Sequence, residues 1–185
     1  MVESVFSVDG VLARADPHYQ PREGQLAMAQ AVAHAMGAGG VLVAEAGTGV
    51  GKTYAYLVPA LLSGERVLLS TATKALQDQL FSRDIPRLVQ ALEVPVRVAL
   101  LKGRSSYLCL HRLGMARHEV GEGAPQQIRV LAKIEEWSRS TRSGDLSELT
   151  GLDDRSPVIP WVTSTRENCL GSHCPNAKDC HVNQA

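Results

Sequence analysis

Residues 41–53 read Val-Leu-Val-Ala-Glu-Ala-Gly-Thr-Gly-Val-Gly-Lys-Thr. A short apolar run enters a loop of three glycines, and a lysine and a threonine then open a helical pattern. This is the layout of a triphosphate-binding loop. Gly47, Gly49 and Gly51 let backbone N–H groups turn inward around phosphate oxygens, where a Cβ would obstruct. Lys52 is long enough to reach the β- and γ-phosphates, and the Thr53 hydroxyl is a ligand for Mg²⁺. A helix starting near Thr53 would point its positive dipole end at the same anions. The first glycine of the pattern G-x-x-x-x-G-K-T is replaced by Ala46, which keeps the site small. The expected nucleotide-binding stretch is therefore Ala46, Gly47, Thr48, Gly49, Val50, Gly51, Lys52 and Thr53.

Outward from the loop, Val41–Glu45 has the pattern of a buried strand, and Tyr54–Leu62 that of a helix ending near Gly64. Upstream, Leu26, Ala29, Ala33 and Met36 recur at helical spacing after Pro21, which predicts a helix over 22–37. Downstream, Arg66–Thr71 reads as a second apolar strand and Lys74–Phe81 as a helix. A further short helix is interrupted at Pro86, and Val96–Leu101 reads as a third strand. Strands separated by helical crossovers predict an α/β fold, a doubly wound parallel sheet with phosphate at the carboxyl end of the Val41 strand. After Leu101 the pattern changes. Residues 106–118 and 126–140 read as helices, a polar stretch runs to Pro157, and 161–185 hold three cysteines with little apolar periodicity. The expected division is an α/β core over residues 1–104 and a small metal-dependent lobe over 105–185.

The chain has 185 residues, 44% of them hydrophobic, which is enough for a packed core. Nineteen basic residues balance nineteen acidic ones, so contact with nucleic acid must be local rather than a property of the whole surface. Aromatics make up only 4%, which leaves few stacking platforms for bases. Trp137 and Trp161 are expected in the core of the lobe rather than against DNA. Lys102, Arg104, Arg112 and Arg117 suit either a strand channel or a solvated helix face. No apolar stretch approaches a membrane span and the N-terminus lacks a signal pattern, so a cytoplasmic location without membrane contact is expected.

In that compartment four cysteines point to a metal site rather than to disulfides. Cys109 stands far upstream of Cys169, Cys174 and Cys180, which are spaced C-x4-C-x5-C. Such a set suits a site that pins a loop onto a helical segment. Zinc and an iron–sulfur cluster both remain open on spacing alone, although structural zinc usually prefers C-x-x-C knuckles. His111, His173 and His181 lie beside cysteines and are candidate ligands of a mixed zinc site.

Taken together, these motifs resemble those of the iron–sulfur superfamily-two DNA helicases, the XPD/DinG-like group. Tyr19-Gln20-Pro21-Arg22-Glu23-Gly24-Gln25 resembles the adenine-recognition Q-motif, with Arg22 and Gln25 at its key positions. Residues 45–53 resemble helicase motif I, and Leu69–Leu80 resembles motif Ia. Leu101–Cys109 is similar to the segment leading into the first cluster cysteine, and Asn168–Cys180 to the segment with the other three. The resemblance covers nearly the whole chain. It implies a RecA-like nucleotide-binding domain carrying a mainly helical 4Fe–4S lobe, with Cys109, Cys169, Cys174 and Cys180 as ligands. It also implies ATP- and Mg²⁺-dependent 5′ to 3′ unwinding of DNA without sequence specificity, in repair or replication and alongside proteins of those processes. Within that scheme Lys52 and Thr53 are catalytic, Arg22 and Gln25 recognise adenine, and Thr71, Thr73 and Lys74 contact DNA phosphates.

The sequence contains no Asp-Glu-x-His segment, the motif that completes Mg²⁺ binding in that group, and no second motor domain. The expectation is an N-terminal portion of a helicase, whose parent is an enzyme and which by itself hydrolyses ATP very slowly. Two other readings compete. One is a P-loop kinase or GTPase-like enzyme with a zinc lobe; the other is a non-catalytic interaction module.

Overall fold

The computed structural model describes residues 1–119 and 125–185. Packing divides the chain into two compact units, Met1–Ala99 and Leu100–Ala185.

The first unit is helical. Two short helices, α1 (Val2–Val5) and α2 (Val11–Ala15), precede α3 (Glu23–Ala38). Glu23 sits in the first turn of α3, where a negative charge suits the dipole, and Gly39 stops the helix in the left-handed conformation at φ 68°. Next, α4 (Lys52–Leu62) packs on α3. Ala29 of α3 and Ala55 of α4 are both completely buried in one core, and their small side chains allow close approach. Val5, Phe6, Leu12, Leu57, Val58, Leu80, Ile85 and Leu88 complete the buried core, each contributing roughly 1.5–3 kcal/mol by burial.

Residues 74–92 follow one helical path: α5 (Lys74–Gln79), a π-turn over Leu80–Asp84, and α6 (Ile85–Leu92). The expected interruption at Pro86 does not occur. Proline has no N–H and crowds the carbonyl four residues back, and the wider π-turn ahead of it absorbs that mismatch without ending the helix. Asp84 closes this turn in a buried position, accepting from Gln79 Nε2 at 2.7 Å and Arg83 Nε at 3.0 Å.

The expected parallel sheet is not formed. Val41–Glu45, Arg66–Thr71 and Val96–Leu101 carry no ladder, and the described residues contain no strand. Among the described residues the one β-type pairing is an isolated antiparallel bridge between Tyr107 and Asp145. The α/β, RecA-like expectation is thereby corrected to a mainly helical structure. The physical reason lies in partners. An apolar run becomes a buried strand only when a neighbour satisfies its N–H and C=O groups and covers its faces. Here Val41, Val43 and Leu68 are 95%, 92% and 93% exposed. Periodicity signals the capacity for burial and says nothing of what supplies it.

The second unit has α7 (Leu110–Glu119), α8 (Pro125–Ser138), α9 (Ile159–Val162) and α10 (His181–Gln184). Its core centres on Leu108, Ile134, Val158 and Val162, with Trp137 and Trp161 packed against it. Lys102 and Asp145 form an ion pair of 2.7 Å whose side chains are only 2% and 10% exposed. Lys102 Nζ also donates to Ser147 Oγ at 2.8 Å. Beside this clasp, Leu108 N donates to Gly144 O and Cys109 N to Val162 O, both at 2.8 Å. Among the described residues no helix is long and apolar enough to cross a membrane.

Candidate functional site

The first unit gathers the glycine loop and the Q-like segment. Gly49 and Gly51 adopt φ of 82° and 87°, the left-handed region where only glycine is at ease, and Gly51 turns the chain directly into α4. Lys52 is the first residue of the helix. Its Nζ donates to the carbonyls of Ala46 and Gly47, both at 2.7 Å, so the ammonium closes over the first half of the loop. Arg22 Nη1 donates to Gly49 O, and Gln25 Nε2 to Gly51 O at 2.9 Å. Lys52, at the end of the loop itself, and Arg22 and Gln25, from a distant segment, thus hold four loop carbonyls. Thr48 is exposed and Val50 half-buried; the Val50 Cγ1 lies 3.6 Å from where a Cβ on Gly24 would stand.

Gln25 is 4% exposed. Its Oε1 accepts from Tyr19 Oη at 3.3 Å, so both ends of the amide have partners. Nε2 keeps a second hydrogen and Oε1 a second lone pair. Burial raises the Tyr19 phenol above its ordinary pKa, with the Arg22 charge pulling the other way. Beside Tyr19, a cavity of about 290 Å³ opens between Asp16, Tyr54 and Arg87.

Thr53 follows Lys52 on α4, one helical turn before Tyr56. Burial raises the Tyr56 phenol, opposed by a hydrogen bond with the Thr53 side chain and reinforced by the Asp84 charge. Sequence reading missed Tyr56, although the i, i+3 spacing from Thr53 placed it on the same helix face.

Thr71, Thr73 and Lys74 surround the start of α5. Thr73 Oγ1 caps the helix by accepting from Leu76 N at 3.3 Å, and Thr71 Oγ1 donates to Thr73 O at 3.4 Å. Lys74 is exposed at the first helical position.

In the second unit, Cys109, Cys169, Cys174 and Cys180 all line one cavity of about 70 Å³, together with Arg104, His111 and Arg112. All four are free and half-buried. Cys169 Sγ accepts from Arg104 Nη1 at 3.2 Å and from Gly171 N at 3.4 Å. Among the described residues no three His, Cys, Asp or Glu side chains converge closely enough to hold a single metal ion. His181 is buried against Gly144 with neither ring nitrogen bonded.

Of the four basic residues singled out in the sequence, Lys102 is buried and Arg117 keeps a side chain 57% exposed, and each of the four has a partner within the unit. Lys102 pairs with Asp145, Arg104 with Cys169, and Arg117 with Glu135, while Arg112 Nη2 donates to Pro160 O at 3.2 Å. They tie the unit together. Sequence reading missed the Arg104–Cys169 contact, for which the only signal was a basic residue shortly before Cys109. In Asp145, burial opposes ionisation, but hydrogen bonds from Lys102 and Ser147 outweigh it and hold the carboxyl below its usual range.

Residues 26–143 match the DEAD/DEAH box helicase family. The chain is 45% identical over 184 residues to the ATP-dependent DNA helicase YoaA of Haemophilus influenzae, covering 100% of this chain and 29% of that protein. With the Escherichia coli ATP-dependent DNA helicase YoaA it shares 50% identity over 180 residues, 97% of this chain and 28% of the relative. With the ATP-dependent helicase DinG of Mycobacterium tuberculosis it shares 40% over 189 residues, 89% and 28% respectively. The chain therefore spans less than a third of the length of these relatives. Its glycine loop and more than half of its length fall within the matched region, which begins directly after the Q-like segment, and the chain belongs to the DEAD/DEAH box helicase family.

Proposed function

We propose that this chain is the nucleotide-binding end of an ATP-dependent DNA helicase that also carries a 4Fe–4S cluster. The observation that carries the nucleotide reading is the set of bonds from Arg22 and Gln25 to Gly49 and Gly51. These bonds join the Q-like segment to the glycine loop in a chain of helicase family. In this reading Lys52 leaves the Ala46 and Gly47 carbonyls to meet the β- and γ-phosphates, and Thr53 ligates Mg²⁺. Arg22 and Gln25 recognise adenine through the hydrogen-bonding capacity that their loop contacts leave over, next to the cavity bounded by Tyr19 and Tyr54. Thr71, Thr73 and Lys74 contact DNA phosphates at the start of α5, which confers affinity without sequence preference. Unwinding 5′ to 3′ in repair or replication belongs to the whole protein.

The donor set fits an iron–sulfur cluster. Four thiols rim one cavity, and one of them already accepts two hydrogen bonds of the kind that thiolate sulfur receives. The cluster would supply a one-electron centre and a covalent pin between Cys109 and the 169–180 segment.

Calorimetry with Mg·ATP and Mg·GTP on the 185-residue chain tests the nucleotide reading. Preferential binding of ATP is expected; preference for GTP, or no affinity for either in folded protein, overturns it. Iron and sulfide assays after anaerobic reconstitution test the cluster, and colourless protein with one zinc per chain overturns that part.

A further inference from the structure

The basic side chain nearest the cysteines has a role beyond packing. We propose that Arg104 sets the reduction potential of a cluster held by Cys109, Cys169, Cys174 and Cys180, by donating a charged hydrogen bond to the Cys169 sulfur. The inference rests on the cluster reading above.

Cys169 differs from the other three thiols. Its Sγ accepts from Arg104 Nη1 at 3.2 Å and from Gly171 N at 3.4 Å, and among the described residues it is the only one of the four to receive a charged donor. Arg104 is sixty-five residues away in sequence, so the contact is tertiary. It is also firmly aimed. Arg104 opens a 3₁₀ turn, Arg104–Ser106, closed by Ser106 N to Gly103 O at 2.8 Å and Tyr107 N to Arg104 O at 3.2 Å. On one side of the turn, Lys102 is locked into its buried pair with Asp145. On the other, Tyr107 bridges to Asp145 and its Oη accepts from Lys102 N at 3.0 Å. A turn clamped at both ends fixes the backbone from which the Arg104 side chain reaches Cys169.

A cationic donor on a ligand sulfur withdraws electron density and stabilises the negative charge that arrives with one added electron. Arg104 therefore makes reduction easier. It is a positioning and tuning residue, not a ligand, because a guanidinium has no lone pair to offer a metal.

The test uses the full 185-residue chain, reconstituted anaerobically, as wild type, Arg104→Gln and Arg104→Lys. Iron and sulfide are assayed first. The midpoint potential is then read by mediated dithionite titration, and the Fe–S(Cys) stretch by resonance Raman. In Arg104→Gln with full iron, the potential falls, corresponding to a roughly tenfold smaller reduction equilibrium constant, and the stretching band shifts upward as the sulfur loses its donor. An unchanged potential at equal iron content overturns the proposal. If Arg104→Gln holds less iron, Arg104→Lys decides instead, since its shorter, unforked side chain withdraws the donor from Cys169. A downshift at full loading supports the assignment, and no shift overturns it. Wild-type protein that takes up no iron removes the cluster reading and this proposal with it, and iron content alone identifies that outcome.

Discussion

Gln25 Nε2 donates to Gly51 O at 2.9 Å, joining a buried amide on α3 to the residue that opens α4. The contact depends on glycine twice over. Gly51 sits at φ 87°, and a Cβ there would stand 2.1 Å from Gln25 Nε2. Gly51→Ala therefore combines left-handed backbone strain of about 1–2 kcal/mol with expulsion of a buried amide from its place. The expected result is a lower melting temperature and Mg·ATP affinity reduced at least tenfold, by calorimetry. Gln25→Ala leaves the loop backbone unstrained but strips Gly51 O of its partner, so a milder loss of both is expected. An alanine at 51 that melts and binds like wild type would contradict the coupling.

Lys52 and Thr53 should separate cleanly by titration. Lys52→Ala removes the ammonium that now holds Ala46 O and Gly47 O and that would meet phosphate, so ATP affinity should fall roughly tenfold to a hundredfold with or without Mg²⁺. Thr53→Ala should leave metal-free binding alone and abolish the gain that Mg²⁺ brings. Equal losses in both variants, independent of Mg²⁺, would remove Thr53 from the metal role.

The helices and the loop were legible because their signals are local. Leu26, Ala29, Ala33 and Met36 set the face of α3, and observed Glu23–Ala38 lies within a residue of the expected range. The three glycines, Lys52 and the entry to α4 likewise follow from short-range chemistry. The strands were not, because Val41 or Leu68 can be buried only by a partner that their own sequence does not encode. The basic residues show the same limit. Lys102 looks like a surface lysine until Asp145, far along the chain, appears 2.7 Å away. The cysteine spacing suggested one site, and the four line one cavity, but no pattern pointed to Arg104 as the partner of Cys169.

The Lys102–Asp145 pair should give the second unit an acid limit. Hydrogen bonds from Lys102 and Ser147 hold the Asp145 carboxyl below its ordinary pKa against the opposing effect of burial. A depressed folded value means the stabilisation is fully present above the unfolded pKa of about 3.9 and is lost as pH falls through the folded value. Thermal melts monitored at the tryptophans should be flat with respect to this group from neutrality down to about pH 4 and decline below. Asp145→Asn removes the counter-charge of a buried ammonium that keeps its bond to Ser147, which costs up to roughly 3–5 kcal/mol, and should destabilise the unit already at pH 7. Wild-type and variant melting curves that coincide at neutral pH would show that the pair contributes nothing.

Metal removal should act on one unit and within it on one segment. Residues 165–185 contribute no side chain to the buried core around Leu108 and Ile134. They are folded by short-range bonds such as Cys174 N to Gly171 O at 3.2 Å and Asn183 N to Cys180 O at 3.0 Å. Their long-range ties include the Arg104–Cys169 contact and the burial of His181 against Gly144. With the proposed cluster bound to Cys109, Cys169, Cys174 and Cys180, metal binding energy would add to the folding energy of this segment. Chelation, or Cys174→Ser, should therefore expose 165–185 to limited proteolysis while Met1–Ala99, with its own core, resists. Hydrogen exchange should show the same boundary, with protection lost after Ser164 and kept in α3 and α4. Uniform loss of protection across both units, or none anywhere, would mean that the cysteines do not hold this segment through a metal.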